Sequence, residues 1–319
     1  MFGSEVYATI KAVIAPARRQ RVSSSVVQDR FDPAQPKQEL GRGERAVQLF
    51  LTDETNLQPS ADAKFFVYGG LIVPVERLVQ LDHGIQGIRA AQGYRPEDEL
   101  KFDTRSRPQH VEIGQATEAK RLVVELSLSL DCKFIVHVIL HDIIRNQQPD
   151  QRVQRAADYV LGRFNYYLSQ IGDYGLCIVD NLPVTAQFRY LAERFSLGLD
   201  IQGERRVRLD RITLFAATCA NASHVHSAID VILGSFRYCI NNPRNVEVAR
   251  AMMLQVVKMM WHRYDPASDT YHVGSRGMIV RPPMDQVRVN AYREEYESLQ
   301  EQMNALLKEA DAVGEQQTV

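Results

Sequence analysis

The chain has 319 residues, 45% of them hydrophobic and 24% charged, with a formal net charge of −1. Those values are ordinary for a globular protein of one large or two modest domains, exclude a disordered or fibrous chain, and leave any polyanion site to a local patch. No run of 18 apolar residues marks a membrane span, no apolar segment after a basic start marks a secretory leader, and Cys132, Cys177, Cys219 and Cys239 share no metal-ligand spacing, so buried reduced thiols and a cytoplasmic location are expected.

Residues 1–45 carry eight basic side chains (Lys11, Arg18, Arg19, Arg21, Arg30, Lys37, Arg42, Arg45) against five acidic ones (Glu5, Asp29, Asp32, Glu39, Glu44), a balance of 8 − 5 = +3. The Arg, Ser, Gln, Pro and Gly content from Arg18 to Gly43 is that of a linker. Such an arm is either a flexible leader or a contact for nucleic acid or a partner.

A strand is predicted over 47–53, a short apolar run ending on Asp53-Glu54-Thr55. A carboxylate where a core strand leaves its sheet is costly unless a charge meets it, and a divalent cation is one such charge. The second strand, 64–73, contains Gly69-Gly70, which signals a bulge or a close backbone approach. A helix over about 75–92 opens after Pro74, with Leu78, Leu81, Ile85 and Ile88 as its apolar stripe. The segment Asp98-Glu99-Leu100-Lys101-Phe102-Asp103 alternates charge with apolar anchors. A helix follows at about 108–130, then a third strand from Cys132 to Leu140, in which His137 is expected to be a core histidine with a backbone partner.

The next helix, about 150–171, is predicted to expose Arg152, Arg155 and Arg163. Then Tyr174 to Asn181 repeats the opening pattern, an apolar strand ending on Asp180. Continuous apolar character implies helices on both faces of the sheet. Parallel neighbours would bring Asp53 and Asp180 to one sheet edge, where open α/β sheets place ligands. After a helix at about 184–197, Arg205, Arg206, Arg208 and Arg211 form a basic patch that is either a solvated edge or a set of phosphate contacts. A fifth strand spans 212–217, and a helix over 225–240 places His226 and Asp230 on one face. A methionine-rich helix at 244–262, a short proline-stopped strand near 277–283 and a last helix over 286–313 complete the chain. On that last helix Val289, Tyr292, Tyr296, Leu299, Met303, Leu306, Ala310 and Val313 follow a heptad seam. A seam so narrow needs a partner helix, in the same chain, in a second copy or in another protein.

Asp53, Glu99, Asp180 and Asp230 therefore recur at informative places. Carboxylates from several chain positions suit Mg²⁺ or Mn²⁺, and two such ions about 4 Å apart can activate water and stabilise the leaving oxygen of a phosphodiester. No phosphate-loop, zinc or nucleophile-elbow motif competes with them.

The order of these elements resembles the "domain of unknown function 3800" family, whose fold is similar to ribonuclease H. The resemblance covers roughly residues 46–285 and rests on Asp53-Glu54-Thr55, the strand from Phe65 to Val73 with its paired glycines, Glu99-Leu100-Lys101, Ile178-Val179-Asp180 and Ser227-Ala228-Ile229-Asp230. Ser227 stands where the family has Gln. The resemblance implies a mixed five-stranded α/β sheet flanked by helices, its first three strands antiparallel and its last two parallel. Together with the composition of residues 1–45 and the heptad spacing of the last helix, the resemblance divides the chain into an arm at 1–45, a ribonuclease H-like domain at 46–284 and a heptad-patterned helix at 285–319. Its functional implication is a metal-dependent nuclease acting on DNA or RNA, with a role in defence against mobile elements. In that reading Asp53 bridges two metals, Asp180 and Glu99 complete them, and Asp230 holds the second. Glu54, Lys101 and His226 stand behind them, His226 orienting water or capping its helix. The rival expectation is a non-catalytic scaffold or binding subunit with the same fold, and a third is a phosphatase using the same metal site.

Overall fold

The computed structural model describes residues 46–55, 63–180, 187–201, 205–218, 222–241, 246–274 and 276–316. The predicted arm and Cys219 lie outside the described residues. The described residues belong to one compact unit, which takes in the C-terminal helix.

The central sheet contains β1 (Val47–Thr55), β2 (Phe65–Pro74), β3 (Lys133–Leu140), β4 (Tyr174–Asp180), β7 (Ile212–Thr218) and β10 (Met278–Val280), in the order β10-β3-β2-β1-β4-β7. Two small hairpins lie outside it, β5 (Leu199–Ile201) with β6 (Arg205–Val207) and β8 (Tyr264–Asp265) with β9 (Thr270–Tyr271). β2 runs antiparallel to β1 and β3, while β4 pairs parallel with β1 and with β7. These five strands have the order and directions of a ribonuclease H-like sheet. The expectation of five strands is one short, because β10 adds a sixth, parallel to β3, with Met278 to Val280 facing Val136 to Val138. Its three buried apolar residues cover the middle of the outer edge of β3.

Helices cover both faces. They are α1 (Leu78–Ala91), α2 (Ile113–Ser129), α3 (Pro149–Ile171), α4 (Gln187–Leu197), α5 (Val225–Asn241), α6 (Val246–Met259) and α7 (Asn290–Gln316). Leu49 and Leu51 of β1 enter a core with side chains from α1, α2, α5, α6 and α7. Phe50 points the other way, into a core with α3 and α4. The alternation of β1 is therefore hidden in its sequence, because both faces are dry.

The paired glycines mark a close approach and no bulge. β1 and β2 stay in register across them, Thr52 opposite Gly70 and Asp53 opposite Gly69. A Cβ at Gly70 would lie 2.1 Å from the Phe50 ring, and one at Gly69 2.7 Å from Leu233 Cδ1.

From Tyr296 to Ala310 the seam of α7 is buried in the chain's own core, while Tyr292 is half-buried and Val289, just before the helix, is 49% exposed. Tyr296 and Met303 are fully buried, with Leu299, Leu306 and Ala310 close behind, and α6 is the helix they meet. The Tyr296 hydroxyl accepts from the Leu140 N–H at 3.0 Å and donates to the Arg281 carbonyl at 2.9 Å, tying α7 to the ends of β3 and β10. Two further expectations change. Arg152 is not solvent-facing but buried, donating to the carbonyl of Gln147 at 2.9 Å, and Arg163 is only half-exposed. His137 is buried as expected, but its ring lies on Tyr159 at 5.0 Å and neither nitrogen has a hydrogen-bond partner among the described residues.

Candidate active site

β1 and β4 end side by side, Thr52 opposite Val179. Residues two apart share a strand face, so Asp53 lies on the face of Leu51 and Asp180 on that of Ile178. That face is covered by α5, which brings Asp230. Asp53 is therefore raised well above the ordinary carboxylate range, first by burial, then by the charges of Glu54, Asp230 and Asp180; only the Glu54 N–H, donating at 2.8 Å, opposes them. Glu54 follows on the opposite face, beside Tyr68. Burial, then the charge of Asp180, pushes it up to about 7. Asp180 is itself buried. Asp230 is raised by burial, with the Phe102 N–H, Lys101, Arg237 and Lys120 opposing.

The structure thus gathers Asp53, Glu54, Asp180 and Asp230 as interacting charges. Glu99 stands apart, exposed and paired with Lys101 at 3.5 Å. Glu54, expected to stand behind the ligands, is a carboxylate whose charge acts on Asp53, while Glu99, expected among the ligands, lines the neighbouring cleft together with Asp230. The signal for Glu54 was adjacency: at a strand end, where the chain leaves the sheet, two consecutive carboxylates on opposite faces can still share one charge cluster.

The donor type fits a hard divalent cation, since all four residues offer carboxylate oxygens. Burial fits as well, because Glu54 Oε2 is enclosed with no hydrogen-bond partner among the described residues. The side chains as they stand do not converge: among the described residues no three His, Cys, Asp or Glu side chains are gathered into a ligand set. The interaction through space is long-ranged, so mutual repulsion at this site does not require the contact distances of coordination.

Beside the cluster opens a cleft of about 380 Å³, lined by Arg89, Glu99, Lys101, His224, His226 and Asp230 among others. Asp230 belongs to both cleft and cluster. His226 is buried, its pKa is lowered by burial and then by Lys101, and neither ring nitrogen has a partner among the described residues. Capping falls to Ser223, whose Oγ accepts from the Val225 N–H at 3.1 Å.

Two features hold the Glu99-Leu100-Lys101 loop. Leu100 is buried in the core, and Arg89 is buried beneath residues 95–98. The Arg89 guanidinium donates to the carbonyls of Arg95 and Pro96, each at 3.2 Å, and to that of Asp98, and it also meets the His224 ring. Sequence reasoning missed Arg89. Its signal was position: it stands four residues after Ile85, within the apolar stripe of α1.

The arginine patch lies elsewhere. Arg211 precedes β7, so it sits at the opposite end of the sheet from Asp180. There it donates to the carbonyls of Gly172 at 3.2 Å and Asp173 at 3.4 Å and stands over the Tyr174 ring at 5.2 Å. Arg208 is exposed and donates to the Ser196 carbonyl, and Arg206 is exposed on β6. The side chain of Arg205 lies outside the described residues.

No protein-family profile and no curated protein matches this sequence. Among solved structures the chain is similar in fold to the Bst ribonuclease HIII in complex with Mn²⁺, at 14% identity and a TM-score of 0.38, over 66% of this chain and 62% of that one. A point mutant of the same Bst enzyme matches at 16% identity and a TM-score of 0.34, over 68% and 63%. The ribonuclease H2 of Pyrococcus horikoshii matches at 11% identity and a TM-score of 0.34, over 66% of this chain and 98% of that one. This chain therefore spans less than two thirds of the length of the Bst enzyme.

Proposed function

We propose that this protein is a divalent-metal-dependent nuclease acting on phosphodiesters of DNA or RNA. The observation that carries the reading is the cluster itself: Asp53, Glu54, Asp180 and Asp230 are drawn together at the ends of two parallel core strands, and Asp53 is raised by burial and by all three neighbours. A fold that holds repelling carboxylates partly out of water has that cost offset when a cation is present. Asp53, Asp180 and Asp230 would hold Mg²⁺ or Mn²⁺ on one sheet face, with Glu54 reaching from the other. When bound, such ions supply an activated water and charge stabilisation at the scissile phosphate. In this reading His226 and Lys101 face the substrate from the cleft. The unpartnered His226 nitrogens are suited to accept or donate a proton, and Lys101 to pair with a phosphate oxygen.

One observation favours a second reading, a non-catalytic binding subunit. The carboxylates do not converge as a ligand set. The two readings separate in one experiment, thermal melting with and without Mn²⁺ for wild type and Asp53→Asn, run beside cleavage of end-labelled single-stranded and duplex oligonucleotides. The nuclease reading expects Mn²⁺ to raise the melting temperature of wild type well above any gain in Asp53→Asn, and cleavage to be lost in the variant. Equal gains from Mn²⁺ remove the metal site. A selective gain without cleavage leaves a metal-binding scaffold.

A further inference from the structure

On the α3 side of the sheet, away from the carboxylate cleft, three arginines alternate with three aromatic rings. Tyr159, Arg163 and Tyr166 follow one another at spacings of four and three on α3, one helix face about 10 Å long. Arg276 stands over Tyr166 at 5.3 Å and over Trp261 at 5.0 Å, and donates to the Tyr166 hydroxyl at 2.8 Å. Arg281 stands over Tyr159 at 4.8 Å. Arg163 lies between them, pushed down to about 10 by burial and then by the charges of Arg281 and Arg276. Among the described residues Arg276 and Arg281 form no ion pair; their hydrogen bonds go to the Tyr166 hydroxyl and the Val280 carbonyl. Tyr159 is 38% exposed, and Tyr166, Trp261, Arg276 and Arg281 are half-buried, so the rings and guanidinium groups reach solvent together.

A structural role accounts poorly for this arrangement. Three like charges drawn together repel, and a packed core gains more from apolar side chains. Guanidinium groups held over rings present both halves of a single-strand site, cations for phosphates and π-faces for bases. The surface also leads somewhere. β10 runs in the same direction as β1 and β4, so Arg281, directly after Val280, lies at the sheet end where Asp53 and Asp180 lie. From β10 to β1 is three strand spacings, about 14 Å. Glu54, Tyr68 and His137 form a cross-strand row on this same face, and the His137 ring rests on Tyr159.

We propose that Arg163, Arg276 and Arg281 with Tyr159, Tyr166 and Trp261 form a binding track for a single-stranded polynucleotide that leads to the carboxylate end of the sheet. The track deepens the nuclease reading by supplying a strand to its site. It is tested without cleavage, so that the two can fail separately.

Trp261 is the single tryptophan of the chain, which makes its fluorescence a probe of this surface alone. Full-length protein in EDTA is titrated with dT20, with rU20, and with polyglutamate as a charge control. Stacking is expected to quench Trp261 with the oligonucleotides and not with polyglutamate; whether dT20 or rU20 binds more tightly distinguishes DNA from RNA. Arg276→Ala with Arg281→Ala is expected to weaken binding about tenfold or more and to flatten the slope of log affinity against log salt by about 1.4. Should that double variant melt early, Arg281→Lys serves: it keeps the charge, so the salt slope holds while affinity falls. Unchanged Trp261 emission with both oligonucleotides overturns the track, as does an equal quench by polyglutamate or an unchanged affinity and slope in the double variant. Cleavage in Mn²⁺ is scored independently and bears only on the nuclease reading.

Discussion

Replacing Glu54 by Gln tests the electrostatic core of the site without relying on catalysis. In the folded chain Glu54 is pushed from an ordinary 4.5 to about 7, by burial first and Asp180 second. The folded state therefore holds the proton more tightly than the unfolded chain. Stability is full below pH 4.5, falls as pH rises towards about 7, and stays reduced above it. At about 1.4 kcal/mol per pH unit the ceiling on this cost is about 3 kcal/mol, and half-burial brings the expectation to about 1–3 kcal/mol. Gln has nearly the shape of protonated Glu and no charge. Glu54→Gln should accordingly gain about 1–3 kcal/mol on wild type between pH 4.5 and pH 8. The Gln amide inherits the enclosed position of Oε2, a penalty present at both pH values, so the informative quantity is the difference between the two gaps. Denaturant unfolding in EDTA at both pH values measures it. A gap that is the same at pH 4.5 and pH 8, or a variant that loses ground as pH rises, would refute the reasoning.

Two further outcomes follow from the packing. Gly70→Ala places a methyl 2.1 Å from the Phe50 ring, which is itself stacked on Phe164 at 4.5 Å and has nowhere to move; unfolding should show a loss of about 2–3 kcal/mol, and a neutral result would mean that β1 and β2 separate more easily than drawn. A chain ending at Pro283 removes Tyr296, Met303 and Leu307 from their fully buried positions; calorimetry should show no cooperative transition, whereas a folded, smaller particle in sedimentation would instead indicate that α7 joins two copies.

Much of this protein was legible in the linear chain. The apolar runs at 47–51 and 176–179 could only be strands buried on both faces, and each ends on a carboxylate because the chain there leaves the dry sheet. Asp53 and Asp180 were singled out for that reason, and Asp230 for its place beside His226 on a helix face; in the folded chain the charges of Asp180 and Asp230 act on Asp53, though the three side chains are not gathered into a ligand set. The heptad spacing of the last helix likewise determined that it buries a narrow stripe, since helical periodicity is a local property. The identity of whatever covers a stripe is not local, and here the tertiary structure decided it: α6 and the ends of β3 and β10 cover α7 within the same chain. The same limit explains the other differences. The short strand near 277–283 was legible, but its register was not, and only the open edge of β3 makes it the sixth strand of the main sheet. Arg152 has the composition of a solvated helix face, yet the carbonyls at a helix start remove it from water, while Arg163 keeps part of its surface exposed beside Arg276 and Arg281. Glu99 carries the motif and Glu54 the position, because charges act through space and their distances follow from how strands and helices are packed, which spacing along the chain does not encode.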